Sequence, residues 1–308
     1  GRGYALNSRP TGIASVTRDL GGFFAANYSF DERFLADFSF RGSASSQFGA
    51  NQRWGLFYSL GLGYNLHNDA AIKRALPFVD ELRVRGSIGT SGNPNFMTNV
   101  SIATYEYYPD ALYQGFPGTY LVSLSNPDLR WENKLDYNAG LDIRINRFSG
   151  RLDYYNSYTE NLVTPISVVP STGFNTVYEN LGKVQNTGIE AYLSYNVYQK
   201  GRDFVNVYGS IETNLNKILA LSDAMKAYND RMTDSASFKG NSVPVKRYYE
   251  GGSLHTIWAV PSLGIDPATG LEVYQNPDGT TTYLWDANNM VNAGYGSPRY
   301  QGTLGVNL

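Results

Sequence analysis

Apolar and polar residues alternate with a period of two over most of this chain, the pattern of β-strands that carry one apolar face. Between Gly22 and Phe30 one phase reads Phe24, Ala26, Tyr28, Phe30. After a short turn at Asp31-Glu32-Arg33 the next run gives Phe34, Ala36, Phe38, Phe40 against Leu35, Asp37, Ser39, Arg41. A third gives Trp54, Leu56, Tyr58, Leu60, Leu62, Tyr64, Leu66 against a mostly small and polar phase, with Phe57 an exception. The same alternation returns at Leu82–Ile88, Leu135–Ile145, Phe148–Tyr154, Ile189–Val197, Val205–Ile211 and Tyr300–Leu308. That makes about nine strands, several of them well beyond the 5–6 residues usual in soluble sheets.

The connections fall into two classes. Asp31 to Arg33, Asn146 to Arg147 and Gln199 to Asp203 are tight turns, and Asn68 to Asp80 is longer, with room for one helical turn. Between them lie long loops: Ala44 to Arg53, Gly92 to Arg130, Asn161 to Lys183, and a large excursion from Lys217 to Gly296. Short turns at one end and long loops at the other is the layout of an outer-membrane barrel. Within the excursion, Leu254 to Val260 reads as a strand and Ile218 to Tyr228 as a helix, and the parity of the wall favours one loop-side excursion. The expected fold class is therefore all-β: an antiparallel transmembrane β-barrel portion with long extracellular loops.

Composition narrows the function. With no cysteine there are no disulfides, thiol nucleophiles or thiolate metal sites, and with His67 and His255 alone a multi-histidine metal centre is not expected. A net charge of −2 without a basic block argues against nucleic-acid binding. No apolar run reaches the roughly 18 residues of a membrane helix. The mean hydropathy of −0.34 does not exclude a barrel, whose lumen and loops are polar. The chain begins at Gly1 without a signal segment and stops at Leu308 inside an alternating run, so residues 1–308 are expected to form one internal, partial barrel domain.

No catalytic constellation stands out, and no cofactor is expected. Gly61-Leu62-Gly63 sits inside a strand and lacks the setting of a phosphate loop. Asp37, Asp136, Asp142, Asp153, Glu190 and Glu212 share a phase with Arg41, Arg83, Arg85, Arg144 and Arg151, which reads as a charged lumen with cross-strand pairs. Asn276-Pro277-Asp278-Gly279 and Asp286-Ala287-Asn288-Asn289 lack the spacing of a calcium loop and read as turns. The segment from Gly92 to Tyr120 is rich in aromatics. Beside Phe96, Tyr105, Tyr107, Tyr108, Tyr113, Phe116 and Tyr120 are the candidate substrate- or partner-contact residues; packing of the loop on itself is the other use for them.

Several segments together resemble the SusC/RagA-like family of TonB-dependent outer-membrane transporters. Asn126-Pro127-Asp128-Leu129-Arg130-Trp131-Glu132 resembles that family's N-P-x-L-x-W-E motif. Gly140-Leu141-Asp142, Arg151 to Thr159, Asn180 to Glu190, Gly264 to Gly270 and Ser87 to Asn93 follow in the family's order and spacing. Ser43 to Phe48, with Trp54-Gly55, resembles a further loop without the Asp-Gly often found before it. The resemblance implies a barrel of about 22 strands around an N-terminal plug. It implies import of glycans or peptides with TonB-supplied energy, a SusD-like surface lipoprotein as lid, and outer-membrane lipid around the wall. The plug, the TonB-contact segment and the C-terminal strands have no counterpart in this stretch. Trp131 would anchor a strand entrance at the membrane interface, and Gly182 and Gly188 would allow tight backbone where a loop re-enters a strand. Two alternatives stay open: a soluble β-rich carbohydrate-binding or adhesin-like protein, which would bury its apolar faces, and a barrel enzyme, which would need a nucleophile–histidine pair.

Overall fold

The computed structural model describes residues 16–46, 53–93, 104–123, 132–167, 176–236 and 246–308. The first part holds strands β1 (Asp19–Phe30), β2 (Phe34–Ser45) and β3 (Trp54–Asn65), a short helix α1 (Ala70–Ala75) and β4 (Glu81–Asn93). A hairpin β5 (Thr104–Tyr113)–β6 (Phe116–Ser123) follows, then β7 (Glu132–Ile145), β8 (Phe148–Glu160) and a second hairpin, β9 (Val163–Ser167)–β10 (Thr176–Asn180). Next come β11 (Gly182–Lys200), β12 (Asp203–Thr213), β13 (Leu215–Leu221) and helix α2 (Asp223–Ala236). The chain closes with β14 (Thr256–Ala259), β15 (Ser262–Ile265), β16 (Glu272–Gln275), β17 (Thr281–Thr282), β18 (Val291–Tyr295) and β19 (Tyr300–Asn307).

Nine of these strands form one antiparallel wall in the order β1-β2-β3-β4-β7-β8-β11-β12-β19. Every strand missing from that order belongs to a loop-side excursion. The turn end is built as the sequence predicts. Asp31 and Glu32 both take positive φ, 53° and 49°, the geometry of a tight hairpin turn whose twist matches its strands. Asn146, at φ 51°, uses the tolerance of asparagine for the left-handed region. The longer Asn68–Asp80 connection holds α1, capped by the Asp69 carboxylate, which accepts from the Ala71 N–H at 2.9 Å.

Register fixes which residues share a face. One row across the sheet runs Phe34, Tyr64, Val84, Leu141, Leu152, Ala191, Ile211, Gly302. The next row, on the opposite face, runs Arg85, Gly140, Asp153, Glu190, Glu212, Gln301. The apolar face is uncovered: Tyr28 is 64% and Leu56 66% exposed. The two clusters of buried hydrophobic residues lie outside the nine-stranded wall, apart from Val184 at the loop end of β11. A soluble sandwich would bury this face under a second sheet; here the face is left for another medium.

The large excursion bears out one expectation and corrects another. Leu254–Val260 supplies a strand, the short β14, and it pairs with β18 and not with the wall, as a loop-side excursion requires. Ile218–Leu221 is strand, not helix: β13 continues β12 past Asn214 and pairs with the first part of β11, Val184 opposite Ile218. Long-range pairing overrides the local helical preference here. The helix begins one turn later, at Asp223. Ser222 caps it, its hydroxyl accepting from the Met225 N–H at 3.3 Å and donating to the Asn180 carbonyl at 2.6 Å.

Candidate functional site

The polar face carries an ion-pair cluster that spans three strands. Arg85 on β4 reaches Asp142 on β7, with Nε 3.1 Å from Oδ2, and also pairs with Asp153 on β8. Arg151 closes the cluster, its Nε 2.8 Å from Asp153 Oδ2 and 3.8 Å from Asp142. Arg144 and Arg83 both reach Glu81, and Lys134 reaches Asp136. The cross-strand pairing read from the sequence is present in these charges. Glu190 and Glu212 differ. They sit opposite each other on β11 and β12, both exposed, and no ion pair involves either of them among the described residues.

The contact candidates occupy the β5–β6 hairpin. Gln114 and Gly115, with φ of 49° and 85°, make its tight turn, flanked by the pair Tyr113–Phe116. Tyr105 pairs with Leu121 and Tyr107 with Thr119, so both tyrosines stand on one face; they are 68% and 71% exposed. Tyr120, opposite Glu106 in the register, belongs to the other face. Phe116 projects at the tip, 76% exposed. The hairpin thus gathers all six candidates on one ribbon, with Tyr105 and Tyr107 on one face and Tyr120 on the other. Phe96 and Trp131 lie outside the described residues.

The remaining candidates resolve into local structure. His67 is held through Nδ1 against the backbone of Leu82, and His255 lies exposed in the excursion. Among the described residues no three His, Asp or Glu side chains converge as a metal site. The Asp266 carboxylate accepts from the Ala268 N–H at 2.9 Å, from Tyr283 Oη at 2.7 Å and from Thr269 Oγ1 at 3.0 Å. Those donors, the backbone N–H first, hold it below the usual carboxylate range. Asp278 likewise accepts from the Thr280 hydroxyl and N–H. These are turn-forming roles in the β15–β16–β17 sheet.

Sequence reasoning missed Gly140 and Gly305 on the polar face. It marked Gly188 for tight backbone, which the Thr213 carbonyl at the place of its Cβ bears out, but not for its tyrosine. A Cβ on Gly140 would lie 2.5 Å from Arg85 Cζ and 2.7 Å from Asp153 Oδ1, so the Arg85–Asp153 pair passes directly over it. Gly188 and Gly305 stand in the same relation to the rings of Tyr155 and Tyr208. At Gly182, φ is 129° and a Cβ would clash with the Ala220 carbonyl, which bears out the reading of close backbone at loop re-entry. Register alone reveals such pairs, and no local motif marks them.

Residues 2–307 match the family described as TonB dependent receptor-like, beta-barrel. The chain is 28% identical to the TonB-dependent receptor P39 of Formosa agariphila over 98% of its own length and 28% of that protein's. It is 27% identical to the TonB-dependent receptor SusC of Bacteroides thetaiotaomicron, over 84% of this chain and 27% of that one. Among solved structures, the RagAB peptide transporter superposes with a TM-score of 0.76 at 25% identity, covering 94% of this chain and 31% of that one. The chain spans less than a third of the length of these relatives.

Proposed function

Because this chain belongs to the TonB-dependent receptor-like β-barrel family, we propose that it is part of the wall and loops of an outer-membrane importer of glycans or other nutrient oligomers, driven through TonB. The family is one of outer-membrane barrels that transport and do not catalyse. The observation that carries the reading is the wall itself. Nine long strands expose an apolar face that no other element covers among the described residues, and the opposite face is charged. Lipid suits the first face and a water-filled lumen the second.

In this reading the excursions form the extracellular rim. The β5–β6 hairpin offers Tyr105, Tyr107 and Phe116 to incoming substrate or to a SusD-like surface lipoprotein, with Tyr108, Tyr113 and Tyr120 on the same ribbon. Aromatic side chains with little conformational freedom suit such contacts. The TonB contact would come from a part of the protein N-terminal to this wall.

The test uses the intact parent protein, tagged in its native host. The outer membrane is extracted with detergent, the tag is pulled down, and growth on single nutrients is compared with that of a deletion strain. Recovery from that fraction with a surface lipoprotein, and loss of growth on one oligomeric nutrient, are the expected results. Recovery from the soluble fraction without detergent would overturn the reading, and a soluble carbohydrate-binding protein would replace it.

A further inference from the structure

We propose that the apolar face of β1–β4 and β7 holds one phospholipid with a zwitterionic headgroup. Its acyl chain lies in a groove over Ala36, Gly86 and Ala139, and its headgroup sits at the turn end beside Arg33. The proposal goes beyond the importer reading and rests on that reading for placing this face against lipid.

The groove has a volume of about 540 Å³. Register explains its shape. One row of the apolar face runs Tyr28, Ala36, Leu62, Gly86, Ala139. Ala36, Gly86 and Ala139 carry a methyl group or nothing, so the face is hollow there. The next row toward the turn end, Phe34, Tyr64, Val84, stands beside the hollow as a wall. The Phe34 and Tyr64 rings are stacked, with centroids 4.7 Å apart and planes at 9°. The Tyr64 hydroxyl donates to Asp69 Oδ2 at 2.9 Å, and the Arg33 guanidinium lies over the Phe34 ring, 5.5 Å from its centroid. Both rings are thus held from the turn end, and the wall is formed before a lipid arrives. Gly86 differs from Gly140 and Gly305, whose missing Cβ makes room for a neighbouring side chain. A Cβ on Gly86 would meet the Asn138 carbonyl oxygen at 3.7 Å, an ordinary contact. The space it leaves opens outward, to the medium on this face.

The dimensions suit one acyl chain. From β1 to β7 the row crosses four strand spacings, about 19 Å. A chain of one leaflet spans about 15 Å, half of the hydrocarbon core. Strands of such barrels tilt by roughly 35–45°, so a groove across them runs obliquely through the leaflet.

The headgroup level is set by the turns. Tyr28 and Phe34, at one end of the groove, lie within three residues of the Asp31–Arg33 turn. Short turns mark the periplasmic side, whose leaflet is phospholipid and not lipopolysaccharide. The charges of that turn and of α1 with its cap are Asp31, Glu32 and Asp69 against Arg33, Lys73 and Arg74, and they cancel. Glu81, Arg83 and Arg144 pair among themselves on the polar face, and Asp80 accepts from the Asn146 N–H. Arg33 is shared between Asp69 at 2.7 Å and Asp31 at 3.5 Å, and the Asp31 side chain stays 64% exposed. A cation and a carboxylate side by side, without net charge, match the phosphate and ammonium of a phosphoethanolamine group. An anionic headgroup would find no surplus of cations there.

The test is native mass spectrometry of the intact parent protein, taken from the outer membrane into bilayer discs. The discs hold palmitoyl-oleoyl phosphatidylethanolamine and the matching phosphatidylglycerol in equal amounts. The expected result is one phosphatidylethanolamine per chain that survives the activation that strips the other lipids. Gly86→Leu and Ala139→Leu, which fill the floor, should each lower the retained fraction about threefold to tenfold. Outer-membrane abundance and heat-modifiable mobility should not change. Ala191→Leu, on the same face but outside the groove, should leave retention as it is. Asp31→Asn keeps a residue that accepts the φ of 53°, leaves the turn end one charge positive, and should shift retention toward phosphatidylglycerol. Equal retention in all variants would reduce the lipid to ordinary wall lipid and overturn the site. Retention of phosphatidylglycerol alone, or of no lipid, would overturn it too, as would loss of self-association in place of lipid in Gly86→Leu. All of these leave the importer standing. Recovery of the parent protein from the soluble fraction would overturn the importer reading and the site together.

Discussion

Arg85 and Asp153 meet across an intervening strand. They stand on β4 and β8, and the residue between them on β7, Gly140, is the one position in their row where a side chain would block them. Asp153 has a side chain only 9% exposed, so the charge it carries relies on its arginine neighbours. Gly140→Val in the parent protein should push the guanidinium away and strand that carboxylate. Arg85 is a quarter exposed, which moderates the loss; about 1–3 kcal/mol is expected. The unfolding midpoint in detergent and urea reads it. Arg85→Ala combined with Gly140→Val should cost less than the sum of the two single changes, since the first removes the clash of the second. Additive costs would show that the glycine has another role.

Gly182 opens β11 at the point where the β9–β10 hairpin hands over to the wall. Its φ of 129° suits glycine, and the Ala220 carbonyl occupies the place of a Cβ. Gly182→Ala should therefore separate β13 from the first part of β11, at a cost of about 1–3 kcal/mol. The readout is protease cleavage in the Leu215–Leu221 region of the folded parent protein. Unchanged resistance would mean that the strand pair tolerates a local shift.

The wall was legible in the sequence for a physical reason. Each strand has one face against lipid and one against water, so the period of two is nearly unbroken from Phe24 to Phe40 and from Leu135 to Ile145. β13 was not legible. Its sequence, LNKILAL, suits a helix as well as a strand, and only its distant partner on β11 decides. The aromatic hairpin was foreseen as a set of residues but not as two strands, because Pro109, Gly115 and Pro117 break its alternation. The tyrosine–glycine pairs Tyr155–Gly188 and Tyr208–Gly305 depend on register, and register between strands is set by the folded wall.

Asp266 links the turn between β15 and β16 to pH. The Ala268 N–H, then Tyr283 and Thr269, stabilise its charged form and lower its pKa in the folded state. A carboxylate with a depressed folded pKa stabilises the fold above its unfolded pKa, about 3.9, and that contribution is lost as pH falls through the folded value. Hydrogen exchange at Gly264–Leu271, corrected for intrinsic rates, should therefore stay flat from neutral pH down to about 4 and speed up below it. Asp266→Asn should raise exchange at neutral pH and flatten the dependence. A rise centred on neutral pH would assign the dependence to another group.

The excursion has a core of its own, and that predicts an uncoupled failure. Leu181, Val184, Ile218, Met225, Tyr228 and Tyr248 are buried together, with Leu162, Leu221 and Leu254 against them. Burial pushes the Tyr248 hydroxyl up to about 12, which marks how dry this cluster is. Met225 and Ile218 are fully buried, so Met225→Ala or Ile218→Ala should cost about 2–5 kcal/mol locally. The wall draws its stability from strand pairing and from lipid, not from this cluster, so the loss should stay in the rim. Limited proteolysis should cut within Lys217–Gly296 while the barrel keeps its heat-modifiable mobility on gels. If the barrel signature were lost as well, the rim and the wall would be one cooperative unit, and β13 on β11 would be the joint that couples them.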